Sequence, residues 1–295
     1  MLQFTLLMSV AARPHPRRRT RLDVWTVASL VFLLLAVAGS SLPNSWLPRN
    51  PKVTNLSDRF VPVGGEGKQG TRYLLGTDAL GRDISSRLLF GGRYTLLIAV
   101  GAAALTIVLA VGFGVAAGYL GGAFEAVVLR VVDALLSLPV ILVAVALAAI
   151  LGRGLWTLVA ILAFTGWADC TRVIRADALA LRSRPFVESS VALGSRSPRI
   201  ILRHLLPNLM STITVMGTYL VSRFILLESS ISFLGMGISP PASSWGAMVG
   251  EARQYIFQAP WASVLPGLVI TLTILALNFI GDALRDRFDP ALRSR

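Results

Sequence analysis

One cysteine (Cys170), two histidines (His15 and His204) and 15 acidic residues in a chain of 295 are what this sequence has least of. A single cysteine excludes an internal disulfide and leaves no cysteine spacing from which to build a metal site. The two histidines are too few and too far apart for a metal cluster, and neither suits catalysis. A phosphate loop is missing as well. GGEGKQG (Gly64 to Gly70) has Gln69 where Ser or Thr must ligate magnesium, and Pro62 where the leading glycine belongs. A dinucleotide reading of Gly112, Gly114 and Gly118 fails on spacing and on the lack of a preceding strand. The chain is left without a nucleotide site of its own, and nothing in it marks an enzyme.

What is present is apolar. Hydrophobic residues make up 54% and charged residues 15%, mean hydropathy is +0.68, and the apolar residues gather in runs of about twenty, the length that crosses a bilayer. An all-α polytopic membrane protein is the class this implies. The net charge of +13 would suggest nucleic acid in a soluble chain. Here the basic residues flank apolar spans, where they set orientation and meet anionic lipid head groups, so no nucleic-acid partner is expected.

Residues 1–12 read as a loose tail or the product of an upstream start. The basic run Arg13 to Arg21 precedes a first span, Val24 to Leu42, and places the N-terminus in the cytoplasm. Charge, apolar run and the small triplet Ala36-Val37-Ala38 also resemble a signal peptide, but the length of the run and the spans that follow favour an uncleaved helix. Pro43 to Gly92 is then an outer loop in which Leu75 to Arg93 predicts a turn and a short helix, with Ile84, Leu88 and Leu89 on the membrane surface. Further spans are expected at Tyr94–Tyr119, with Gly114 and Gly118 in the spacing that lets helices approach, and at Phe124–Leu151, broken by Pro139. Arg130 and Asp133 lie three apart on this third span, and an ion pair between them is preferred to a transport role. The fourth span begins at Leu155, is apolar to Trp167, and emerges through Asp169, Arg172, Arg175, Asp177 and Arg182. The fifth and sixth cover about Leu205–Leu227 and Ala262–Ile280, and the arginines after Gly281 place the C-terminus inside. Residues 1–92 therefore hold the tail, first helix and outer loop, and residues 93–295 the membrane core. The spans are almost free of ionisable residues, so energy for moving a solute would come from elsewhere.

One stretch stands apart. Arg184 to Asn208 is polar and basic, and projects to the cytosolic side. Ser183 can cap a short helix with Pro185 in its first turn, Phe186, Val187, Ser190, Val191 and Leu193 give it an apolar side, and Gly194 suits the left-handed residue that ends it. Ser197-Pro198 repeats the start for a second helix. Such an element suits a partner's groove.

At these residues the chain resembles the permease subunits of bacterial ABC importers, whose signature is EAA, three residues, Gly, nine residues, then Ile-x-Leu-Pro. Glu188, Gly194, Leu206 and Pro207 fall at those spacings, with Ser189 and Ser190 for the alanines and His204 for the isoleucine. LGTDALGRD (Leu75 to Asp83), AGYLGG (Ala117 to Gly122), VDALLSLP (Val132 to Pro139), SFLGMGISPPASSWG (Ser232 to Gly246), APW (Ala259 to Trp261) and NFIGDALRDRFDP (Asn278 to Pro290) are similar to landmarks of the C-type permease in dipeptide and oligopeptide importers. The resemblance implies six transmembrane helices in a type I ABC importer permease (MetI-like) fold, and a coupling helix near 184–198. It also implies as partners a second homologous permease, two ATPases that hold ATP and magnesium, an extracytoplasmic substrate-binding protein and a peptide substrate. Phe186, Val187, Glu188, Ser189, Ser190, Ala192, Leu193, Gly194, Leu206 and Pro207 would couple to the ATPase. Glu228, Phe233 and Trp245 would gate the outer mouth or contact the binding protein, unless the loop from Ser229 to Trp261 is a packed structural one. Nickel or glutathione import through the same architecture, a self-sufficient channel or ion-coupled carrier, and a non-transporting scaffold are the competing readings.

Overall fold

A computed structural model describes residues 23–68 and 70–288. The basic run Arg13–Arg21 and the residues after Phe288, on which much of the orientation argument rests, lie outside them. Helices α1 (Val24–Ser41), α2 (Ile84–Leu120), α5 (Leu155–Arg182), α8 (Leu206–Phe233) and α10 (Trp261–Phe288) form the body. All are long and apolar enough to span a membrane. Between α2 and α5 lie α3 (Gly122–Leu136) and α4 (Val140–Leu151), which meet at an angle of 88° and make a sixth span if counted as one. The expected break at Pro139 is thus a sharp corner. Pro139 has no N–H to give and disfavours a helical conformation before it, and the chain leaves the helix over Ser137 and Leu138. Strand pairing among the described residues is confined to two isolated bridges, Glu66 with Arg72 and Thr77 with Asp83.

α2 is the central helix and packs most extensively on α5. Small residues explain the closeness. A Cβ on Gly118 would stand 2.6 Å from the Arg175 carbonyl oxygen and 2.9 Å from the Ala178 side chain, and one on Gly114 would meet Ile174 at 2.9 Å. Without a hydrophobic drive between helices in lipid, such backbone approach is a main source of association. Below this seam Ile98, Ala99, Ala102, Leu158, Leu162, Leu220 and Phe224 are buried together.

Three sequence expectations are corrected. The second span does not start at Tyr94: Asp83 caps a single helix from Ile84, its side chain accepting from the Ser86 N–H at 2.9 Å. Ile84 is almost wholly buried and Leu88 and Leu89 are half-buried, so the predicted surface helix is instead the first turns of α2. A helix of this length is about 55 Å long and overshoots a bilayer core of roughly 30 Å. The fifth span likewise runs on past Leu227 to Phe233. Asp133 pairs with Arg172 of α5 and not with Arg130, because the interhelical partner is in reach across the α3–α5 contact.

α5 carries a ladder of such contacts. Arg175 pairs with Glu125 of α3, Asp169 with Arg223 of α8 at 2.8 Å, and Asp177 accepts from Thr212 of α8 at 2.7 Å. Its polar half is therefore packed between neighbours, with Cys170, Thr171, Ile174 and Ala178 buried, and does not simply emerge into solvent.

Candidate functional site

Immediately after α5, the chain turns at Ser183 and Arg184 into α6 (Pro185–Ala192), followed by α7 (Ser197–Ile200), a π-turn (Ile201–Leu205) and α8. Pro185 opens α6 as expected, but the cap is Arg184, and Ser183 instead donates to the Ala180 carbonyl at 3.1 Å. α7 is capped by Arg196, again with no side-chain bond. Gly194 ends the α6 turn with φ +78°, and the Ser195 N–H donates back to the Ser190 carbonyl at 3.1 Å. That conformation favours glycine because an L side chain is strained there.

The residues of α6 divide by face. Val187 and Ser190 are buried, Val187 among Ile174, Ala178, Ile200, Leu205 and Leu209, which join α5 to the start of α8. Phe186, Glu188, Ser189, Val191, Ala192, Leu193 and Gly194 are exposed, and Leu193 is 86% so. Phe186, Val191 and Leu193 thus stand apolar and exposed on or just after a short helix whose opposite side lies in the cluster joining α5 to the start of α8. The apolar side predicted from sequence is split between them, with Val187 inward and Phe186, Val191 and Leu193 outward.

Pro207 accounts for the π-turn. Lacking an N–H, it leaves the ladder one donor short, and its ring crowds the carbonyl four residues back. The helix widens, and the Leu206 N–H bonds to the Ile201 carbonyl five residues back. His204 is carried on this turn with its ring centroid 6.2 Å from that of Phe186 and its Nε2 3.4 Å from Ser190 Oγ, while Leu206 is half-buried and Pro207 exposed.

The opposite end holds the other predicted residues. Glu228 is wholly buried, and its Oε1 accepts from Ser232 Oγ at 2.6 Å. Trp245 opens α9 (Trp245–Ala252) and is also buried, its indole donating to the Leu88 carbonyl at 2.8 Å and its backbone N–H to Thr95 Oγ1 at 3.1 Å. Phe233 alone of the three offers surface. A buried carboxylate in α8 departs from the near-absence of ionisable groups expected of the spans. It arises because α8 is longer than the apolar run that marks it. Sequence reasoning also missed a charge network here. Arg87 of α2, itself buried, donates to Asp78 at 2.5 Å, Ser243 Oγ at 2.9 Å and Glu251 of α9 at 3.0 Å, while Arg82 donates to Asp78 at 2.7 Å and to Glu251 at 2.5 Å. The signal lies in LGTDALGRDISSR, where Asp78, Arg82 and Arg87 are close in sequence, but Glu251 is reached only through the fold. Burial pushes the Asp78 carboxyl up, yet the Arg87 and Arg82 guanidiniums and the backbone N–H groups of Arg82 and Leu80 outweigh it and hold it below the usual carboxylate range. Among the described residues no group of three or more His, Cys, Asp or Glu could hold a metal ion.

Residues 110–294 match the model of the binding-protein-dependent transport system inner membrane component, a span that includes α5, the exposed helix α6 and the whole of α8 to α10. The chain belongs to that family. Its MetI-like, all-helical architecture is that of the permease. Among its relatives, a Brucella suis protein that carries the name of a peptide transport system permease is 37% identical over 96% of this permease and 92% of its own length. A second Brucella suis protein, named for a peptide permease, is 38% identical over 92% and 88%. The dipeptide transport system permease protein DppC of Bacillus subtilis is 34% identical over 94% and 85%.

Proposed function

We propose that this permease forms, with a second homologous permease, the path of an ATP-driven importer for di- or oligopeptides, and that α6 is the point at which partner ATPases drive it. The observation that carries this is the division of α6 into a docked face, Val187 and Ser190, and an exposed apolar face, Phe186, Val191 and Leu193. A short helix whose buried side lies in the same cluster as residues of α5 and the start of α8 is placed to convey displacement to both long helices. The peptide assignment is supported by the names of the relatives above. ATP and magnesium belong to the ATPase subunits, and an extracytoplasmic binding protein delivers the substrate. On this reading α6 lies in the cytoplasm with both termini, and the end that holds α9 faces outward.

ATPase closure moves the equilibrium between inward and outward access only to the extent that the ATPases bind the two permease states unequally. The test is Leu193→Asp with Phe186→Asp in the reconstituted importer. A charge on each anchor should abolish capture of the ATPases and reduce peptide uptake at least about tenfold, the scale of a lost interface anchor. Thermal stability should not change, since both side chains are exposed. Unchanged uptake would remove α6 from the coupling path.

A further inference from the structure

The outward end of the fold contains a cleft of about 570 Å³ between the loop that precedes α2, the end of α8, and α9. Its charged lining is unequal. Four guanidiniums, Arg82, Arg87, Arg153 and Arg253, face two carboxylates, Asp78 and Glu251. Arg82 and Arg87 are matched to those carboxylates. Arg153, in the turn between α4 and α5, and Arg253, just after α9, make no ion pair among the described residues. Arg253 stands over the Phe233 ring, 5.5 Å from its centroid, with the aromatic face as its described partner. Most of the remaining wall is apolar, with Ile84, Ile238 and Met248 buried, and Ser232, Gln254 and Tyr255 add polar groups.

From this we infer that the cleft is a receiving site for the C-terminal carboxylate of the peptide substrate, bound by Arg153 and Arg253. The inference rests on the peptide reading above. The matched pair at Arg87 and Asp78 is a buried wall that costs desolvation and holds the cleft's shape, and the unmatched pair supplies the attraction. A guanidinium presents a planar fork to a carboxylate, and the apolar wall receives the adjacent side chain. The volume lies in the range of small-ligand pockets, about 300–1,000 Å³. A docked protein would instead spread over a surface of about 800 Å².

The test uses the assembled complex in lipid nanodiscs, without binding protein or nucleotide, and saturation-transfer NMR with trialanine, its C-terminal amide and N-acetyltrialanine. Trialanine and the N-acetyl form should bind, and the amide at least about tenfold more weakly, the loss of one charge-assisted contact. R153Q/R253Q should bind trialanine at least about tenfold more weakly, and R153K/R253K should restore only part of the loss, because the charge returns without the planar fork. Equal binding of acid and amide, no binding of either, or an unchanged double variant would overturn the inference. So would a double variant that keeps trialanine but loses the binding protein in a pull-down, since the cleft would then belong to protein docking. Peptide uptake by the unsubstituted importer is measured separately. Its absence would sink the peptide reading, and the substrate named for the cleft with it, whatever the NMR result.

Discussion

Gly194 and Asp78 do different kinds of work at the single-residue scale. Gly194 has open space around its missing Cβ and φ +78°, so a substitution there meets no clash and costs only backbone strain, about 1–2 kcal/mol for an L residue. Asparagine tolerates that conformation better than a β-branched residue. Gly194→Val should therefore insert and fold, yet shift the path from α6 to α7 and uncouple ATP hydrolysis from uptake. Gly194→Asn should retain most of the coupling. The check is the ratio of ATP hydrolysed to peptide imported in the reconstituted importer, and equal ratios for both variants and the parent would refute it. Asp78 acts through charge. Because its folded pKa lies below its unfolded value, its contribution is fully present above about pH 4 and is lost as pH falls through the lower, folded value. Asp78→Asn should cost about 3 kcal/mol at neutral pH, the low end for breaking a buried pair, since Arg87 keeps Glu251 and Ser243. Melting curves of parent and variant should differ at pH 7 and converge below about pH 4. A gap that is constant with pH would remove the ion pair as its cause.

Among the elements, the α2–α5 seam and α6 have opposite requirements. The seam needs small residues on both sides. Gly118→Leu would drive a side chain into the Arg175 carbonyl and Ala178, and overpacking of this kind costs about 3 kcal/mol or more when backbone must move. We expect a lower melting temperature and loss of Asp169–Arg223 and Arg175–Glu125 proximity, which cysteine cross-linking across those pairs would read. An unshifted melting temperature would show that α5 moves freely on α2. In the proposed coupling role α6 needs large residues facing out, positioned from behind by the burial of Val187 in the α5–α8 cluster and the contact of Ser190 with His204 of the π-turn. The π-turn forced by Pro207 sets the angle at which α8 leaves that contact.

For the molecule as a whole, α2, α5 and α8 form one packed core that extends from the α6 end to the α9 end. Exposed apolar side chains cover α1, including Trp25, Leu30, Leu34 and Leu35, as suits a helix against lipid or another membrane protein. At one end the unpartnered groups are apolar and convex, on α6. At the other, Arg153 and Arg253 line the cleft without an ion pair among the described residues. A change of angle in α5 or α8 would be felt at both, which gives the proposed importer a direct physical link between its energy input and its substrate.

Composition and run length were sufficient for the class, the near-complete set of spans, and the placing of α6 and Gly194. Hydropathy and backbone preference are local properties, written in consecutive residues, and Pro185 and Gly194 act on the chain where they stand. The same local signals misplaced the start of α2 and the end of α8. Polar residues such as Asp83, Arg87 and Glu228 lie beyond the apolar runs, whereas in the fold Asp83 caps α2 through Ser86, Arg87 pairs with Asp78 of the preceding loop and Glu251 of α9, and Glu228 accepts from Ser232 one turn on. Which face of α6 is free, the exchange of Arg130 for Arg172 beside Asp133, and the meeting of Arg87 with Glu251 depend on contacts between residues far apart in the chain. Close packing of helices creates those contacts, and no single stretch of sequence contains them.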